Sequence, residues 1–291
     1  MITNKILLGT AQLGLEYGIN NRTGKPSPES AIDILKVASE NDITYLDTAE
    51  AYGNAQEIIG AFHRGSKTMF NVVTKLSEAS FHTFSDINKI VEADLDQLNV
   101  DCLYAYLFHS IELYRKYFDV SIFSNLKEKK KLLKVGVSIY TNEQALEVSK
   151  DKNIDIVQLP YNLLDNMNKR GDVLRMLKQE GKEVHVRSVF LQGVLLMNED
   201  EMPSKLEPLK KYKRQIRHIA EEMKMSVPEL ALSYVLQNDL IDKILIGVDS
   251  LNQLNQHIGF FKSYSMQPFE PLDKINSISV VENEILNPVN W

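Results

Sequence analysis

The sequence predicts an α/β fold, a (β/α)8 TIM barrel built as one domain over residues 1–291. Two patterns point there. Apolar strand-like runs alternate with amphipathic stretches eight times along the chain. The links between them are short, which suits parallel strands joined by crossover helices. Eight is the number at which such a sheet closes on itself. The rival, an open doubly wound sheet, usually carries a glycine-rich first βα turn. No G-x-G-x-x-G occurs here.

The elements follow in order. Residues 5–10 read as the first strand, and 12–25, rich in Gly and Asn, as a loop. Ser27-Pro28 opens a helix, with Ser as N-cap and Pro at the first position; Ala31, Leu35 and Ala38 share its inner face. Strand-like runs recur at 43–47, 70–75, 102–109, 134–138, 154–159, 183–190 and 243–247. Helical patterns fall at 54–64, 86–98, 123–131, 143–150, 172–180, 209–225 and 251–260, and one more opens at the capping box Ser226-Val227-Pro228-Glu229. Two long segments follow strands, 12–25 and 198–208. The tail after Ser263 has no clear periodicity and is expected to cover one end of the barrel.

Composition narrows the function. With 44% hydrophobic and 25% charged residues the chain can bury a core, and a net charge of −6 argues against nucleic acid as a partner. The lone Cys102 opens a strand and reads as a core residue. Residues 1–5 show no basic-then-apolar leader, and no run is long and apolar enough for a bilayer. The expectation is a cytoplasmic protein with no membrane partner.

Polar residues close three successive strands: Asp47, Lys75 and His109. Tyr52 follows Asp47 by five residues. In a barrel all strand ends converge on one mouth, where these four would meet. A tyrosine has an ordinary pKa of about 10, and a nearby ammonium lowers it. Asp47 could hold Lys75, His109 could orient a carbonyl oxygen, and Tyr52 could protonate that oxygen while its carbon is attacked. A second chemistry uses Lys75 as a Schiff-base nucleophile, although an adjacent carboxylate keeps a lysine protonated. The bland reading of Asp47 and Lys75 is a structural ion pair.

The stretch Asp47-Thr48-Ala49-Glu50-Ala51-Tyr52-Gly53, Thr74-Lys75 after an apolar strand, and His109 after the next resemble the motifs of the aldo-keto reductase superfamily. The likeness covers about residues 5–262. It implies Tyr52 as general acid/base, Asp47 and Lys75 tuning it, and His109 orienting the substrate. It implies a small carbonyl substrate and a nicotinamide cofactor, NADP(H) or NAD(H), bound without a Rossmann fold, and no metal. Gly136-Val137-Ser138 is similar to the family's Gly-x-Ser-Asn, and Gln158-Leu159-Pro160-Tyr161-Asn162 to its Gln-x-x-Tyr-Asn. The resemblance gives Ser138 and Gln158 the nicotinamide amide, Gly193 the pyrophosphate, and Gly247, Asp249 and Gln253 the adenosine end. Gly9, Thr10, Asp47 and Arg187 complete the implied cofactor set. Some superfamily members are regulatory subunits that keep the cofactor with little turnover.

The departures carry information. Ile139 replaces the usual Asn. Arg187 stands where Tyr or Trp commonly stacks on the nicotinamide; a guanidinium also stacks, and its charge suits an anionic substrate. Asp249, Gln256 and His257 replace residues that often surround the 2′-phosphate of NADP, and a carboxylate suits a ribose hydroxyl better. His63, His82, His185, His218 and His257 lack ligand spacing and read as surface or core. The basic runs 127–134 and 210–214 read as solvated helix faces, and Tyr17 and Tyr140 as mouth-loop residues.

Overall fold

The computed structural model describes residues 2–83, 86–264 and 271–291. The strands are β1 (Ile6–Gly9), β2 (Tyr45–Asp47), β3 (Asn71–Leu76), β4 (Leu103–Phe108), β5 (Leu132–Ser138), β6 (Ile156–Pro160), β7 (Glu183–Arg187) and β8 (Lys243–Gly247). They form a closed barrel in sequence order, β8 pairing back onto β1. Every pairing is parallel. Parallel strands buried on both faces are expected to be mostly apolar, and here the polar residues gather at the two ends of the barrel and at Thr74.

Strand alternation sorts the core into two parts. Leu7, Val73, Ala105, Leu107 and Ile156 fill the barrel interior. Ile6, Leu8, Leu46, Val72 and Tyr106 face outward and pack under the helices. Two residues beyond the inward-facing Leu7, Tyr45, Val73, Leu107, Ile156 and Leu245 stand Gly9, Asp47, Lys75, His109, Gln158 and Gly247. The interior parity therefore delivers these residues to the mouth.

The lower end is filled by charge. The Glu183 carboxylate accepts from Lys134, from the Tyr104 hydroxyl at 2.8 Å and pairs with His185 Nε2 at 2.8 Å. Lys243 Nζ lies 3.3 Å from the Tyr45 ring centroid. Outside β3 and β4, Gln56 donates to Thr74 at 2.9 Å and to Asp94 at 3.0 Å, and Tyr106 donates to Asp94 at 2.9 Å. Burial pushes the Asp94 carboxyl up to about 6.

Several expectations need correction. The segment 12–25 is entered by a short helix, Ala11–Gly14. The helix expected over 123–131 is Val120–Glu128, and an unexpected helix, Ile111–Tyr117, precedes it, separated by Phe118 and the N-cap Asp119. The seventh strand stops at Arg187 rather than 190, because Ser188, Leu191 and Gln192 adopt positive φ. Residues 198–208 hold the 3-10 turns Glu199–Glu201 and Ser204–Leu209. Lys134 and Lys213 are not on solvated faces: Lys134 reaches Glu183 in the barrel, and buried Lys213 donates to the carbonyls of Val194 and Met197. Cys102 is half-buried rather than core. The described part of the tail packs on the outer helices. Asn166 donates to the carbonyls of Ile275 and Ile278, Lys211 and Tyr212 bond Glu282, and Lys274 bonds Glu222. The His82 side chain and residues 265–270 of the tail lie outside the described residues.

Candidate active site

Asp47 and Lys75 meet because β2 and β3 are neighbours in register, Asp47 opposite Val73. Lys75 Nζ donates to Asp47 Oδ1, to the Thr48 carbonyl at 3.0 Å and to the Tyr52 hydroxyl at 3.4 Å. Both members of the ion pair are about 1% exposed. Gln158 crosses from β6, its amide nitrogen 2.9 Å from Asp47 Oδ2. The His109 ring meets the Tyr52 ring edge-on, centroids 5.7 Å apart. The turn that returns Tyr52 to the mouth is set by two glycines. A Cβ on Gly14 would lie 1.8 Å from the Tyr52 carbonyl, and Gly53 has φ +57°.

Burial governs the protonation states. It raises the Tyr52 phenol above its ordinary value, and the Asp47 carboxylate adds to the rise while Arg187 opposes it. The sequence-based expectation that Lys75 acidifies Tyr52 is therefore corrected for this state. The ammonium is held first by Asp47, so its charge is largely compensated before it reaches the phenol. Burial, aided by the charges of Lys75 and Arg187, holds His109 down to about 3, so its imidazole is neutral near pH 7. Burial lowers Lys75 as well, against the pull of Asp47.

A cavity of about 700 Å³ opens on this set. Its wall includes Asp47, Tyr52, Gln158 and Arg187 on one part, and Gly9, Gly193, Gly247, Asp249 and Gln253 on another. Thr10 and Ser138 of the expected set do not line it. The Thr10 hydroxyl donates back to the Asp47 carbonyl at 3.0 Å, and Ser138 is buried at the end of β5. Lys75 and His109 are not among the lining residues, but each contacts Tyr52, which is. Sequence reasoning missed Gln12, Asn20, Phe190 and Ser226. Gln12 and Asn20 come from the aperiodic stretch after β1. Ser226 was visible only as the N-cap it also is. His257, read as surface or core by its spacing and at the adenosine end by the resemblance, lines the cavity with Asp249 and Gln256 and stacks on Phe190 at 5.5 Å.

The wall fits a dinucleotide. A cavity of this size falls in the range that encloses one small organic ligand. Gly193 and Gly247 line the cavity and neither has room for a side chain: a Cβ on Gly247 would lie 2.5 Å from Gln12 Oε1, and one on Gly193 2.7 Å from Asn20 Cβ. The Asp249 Oδ1 atom is buried with no partner among the described residues. A buried carboxylate oxygen needs a donor, and a ribose hydroxyl would supply one.

A sequence profile of the Aldo/keto reductase family matches residues 5–277. The chain belongs to that family. It is thus an oxidoreductase working with a nicotinamide cofactor, NAD(H) or NADP(H). The chain is 23% identical over 275 residues to the uncharacterized oxidoreductase YqkF of Bacillus subtilis (strain 168), covering 86% of this chain and 89% of that protein. It is 24% identical over 267 residues to the NADH-specific methylglyoxal reductase of Escherichia coli (strain K12), covering 78% and 81%. In fold it is similar to the aldo-keto reductase AKR11C1 of Bacillus halodurans in its holo form. That match has a TM-score of 0.74 at 20% identity, over 96% of this chain and 94% of the other. No helix among the described residues of this aldo-keto reductase is long and apolar enough to cross a membrane.

Proposed function

We propose that this protein reduces the carbonyl group of a polar aldehyde or ketone, sugar derivatives included, at the cytoplasmic expense of NADH, with Tyr52 as the general acid. The observation that carries the reading is Tyr52 on the cavity wall, its phenol kept protonated by burial and its hydroxyl 3.4 Å from Lys75 Nζ. When bound, the reduced nicotinamide supplies a hydride to the carbonyl carbon. Tyr52 gives its proton to the carbonyl oxygen, so an alcohol leaves. The resulting phenolate is stabilised by Lys75, whose position Asp47 fixes, and regains a proton from solvent. Neutral His109 beside the Tyr52 ring offers a ring nitrogen to the same oxygen. The polar side chains of Asn20, Asn21, Gln12 and Gln192 on the wall suit a hydroxylated substrate.

The preference for NADH rests on Asp249. A fixed carboxylate repels a 2′-phosphate and accepts from a ribose hydroxyl. The similarity to an NADH-specific reductase supports the same choice.

The Schiff-base alternative asks Lys75 to be free and accessible. Its Nζ is instead bonded to Asp47, Thr48 and Tyr52 and is buried. No observation favours the low-turnover regulatory reading. The test is Tyr52→Phe, assayed with NADH against a panel of sugar aldehydes, other polar carbonyls and apolar aldehydes. Turnover falls by about 10²–10⁴-fold, the span of a lost general acid, while NADH still binds by fluorescence titration. Full activity in the variant overturns the assignment of the acid. Reaction with apolar aldehydes alone overturns the polar substrate.

A further inference from the structure

Two arginines near the mouth, Arg170 buried and Arg187 half-buried, are treated very differently. Arg170, 2% exposed, grips Asp165 with Nε at 2.8 Å and Nη2 at 2.7 Å. Its remaining donors reach Asn142 at 2.7 Å and the Tyr140 carbonyl at 2.7 Å. It is a satisfied structural arginine. Arg187, at the end of β7, makes no ion pair among the described residues. A guanidinium has five N–H donors. Arg187 uses two of them weakly, Nη1 to the Ser188 hydroxyl at 3.4 Å and Nη2 to the Ile139 carbonyl at 3.2 Å. Its Nε is buried with no acceptor.

The group is nevertheless held in place. Its carbon Cζ lies 4.1 Å from the centroid of the Tyr140 ring. Tyr140 is itself clamped, its N–H donating to Gln144 at 2.8 Å and its carbonyl accepting from Arg170. The satisfied arginine thus fixes the tyrosine on which the unsatisfied one rests. Arg187 lines the cavity together with Tyr52, and its charge acts on Tyr52, His109, Lys75 and Tyr17. The acid of the catalytic set, Asp47, is already paired with Lys75. One positive charge at the reacting end of the cavity is left without a counter-charge.

A nicotinamide ring laid on the free face of the guanidinium would leave its in-plane N–H groups as they are. Only an oxygen acceptor in that plane satisfies them, and an oxyanion also balances the charge. We propose that the carbonyl substrate carries an oxyanion, a carboxylate or a phosphate, and that Arg187 is the residue that binds it. This rests on the carbonyl-reductase reading above and narrows its substrate to anionic polar carbonyl compounds.

The test compares matched pairs with NADH as reductant: succinic semialdehyde against butanal, and glyceraldehyde 3-phosphate against glyceraldehyde. In at least one pair the anionic member has a kcat/KM at least about tenfold higher, the scale of a charged hydrogen bond. Arg187→Gln collapses that ratio toward one, and Arg187→Lys restores part of it. Equal kcat/KM within both wild-type pairs overturns the proposal. So does an Arg187→Gln variant that slows both members alike, which would assign the arginine to the cofactor. A second arm needs no turnover. Sodium succinate and inorganic phosphate are titrated separately into the NADH-saturated protein and followed by NADH fluorescence. One of them binds to wild type and loses at least about tenfold in affinity with Arg187→Gln; which one tells carboxylate from phosphate. Absence of binding by both overturns the proposal. If no carbonyl compound is turned over, the reductase reading fails, and this titration still decides the anion site.

Discussion

Lys75 Nζ stands between two oxygens of unequal claim, bonded to Asp47 Oδ1 and 3.4 Å from the Tyr52 hydroxyl. The carboxylate holds the ammonium where the phenol needs it. The same contact keeps Asp47 from being an isolated buried charge.

Lys75→Met therefore costs more than activity. It strands a buried carboxylate, and breaking such a pair destabilises by about 3–5 kcal/mol. Lys75→Met with Asp47→Asn recovers most of that loss because no charge is then left alone, while turnover stays low in both. Urea denaturation of the three proteins, beside their kcat values, checks this. Equal stability of the single and double variants would contradict it.

The neutral state of His109 has a kinetic signature. With its ring held down to about 3, no group at the site gains a proton near the usual histidine value of about 6.5. The kcat/KM profile should be flat from about pH 5.5 to 8. An acid limb centred near pH 6.5 that vanishes in His109→Gln would refute the assignment.

Asp94 gives stability an unusual slope. Its carboxyl is raised to about 6 in the fold, from an unfolded value near 4. The folded state then binds more protons than the unfolded one. That contribution is fully present below about pH 4 and is lost as pH rises through about 6. Relative to Asp94→Asn, the wild type should lose on the order of 2–3 kcal/mol between pH 4 and pH 7. Parallel unfolding free energies for the two proteins at both pH values would exclude it.

Cofactor choice turns on Asp249. Wild type should bind NADH at least about tenfold more tightly than NADPH, and Asp249→Ser should narrow the gap by weakening NADH and admitting NADPH. Fluorescence titration with each dinucleotide reads this. An unchanged ratio in the variant would remove Asp249 from the recognition of the ribose.

Much of this arrangement was legible before any coordinates. The eight alternations specify the barrel, and alternation within each strand sends Asp47, Lys75 and His109 to one rim, since all three share the parity of interior apolar residues. Thr10 follows the cavity-lining Gly9 in the chain, yet its hydroxyl turns onto the Asp47 carbonyl. Gln12 and Asn20 sit in a stretch without periodicity, so nothing local says which way they face. Lys134 was hidden in a run of basic residues and read as surface. Its place in β5, at the parity of Gly136 and Ser138, puts it inside the barrel with Glu183. The state of Tyr52 was out of reach because burial sets it, and burial is a property of the assembled fold.

The knot of Glu183, Lys134, Tyr104 and His185 at the lower end has a practical corollary. It ties β4, β5 and β7 together with no atom in common with the wall where Tyr52 and Arg187 stand. Loops at the rim can thus be exchanged for others without disturbing the foundation. Redesign of this enzyme toward new carbonyl compounds starts from a base that already stands by itself.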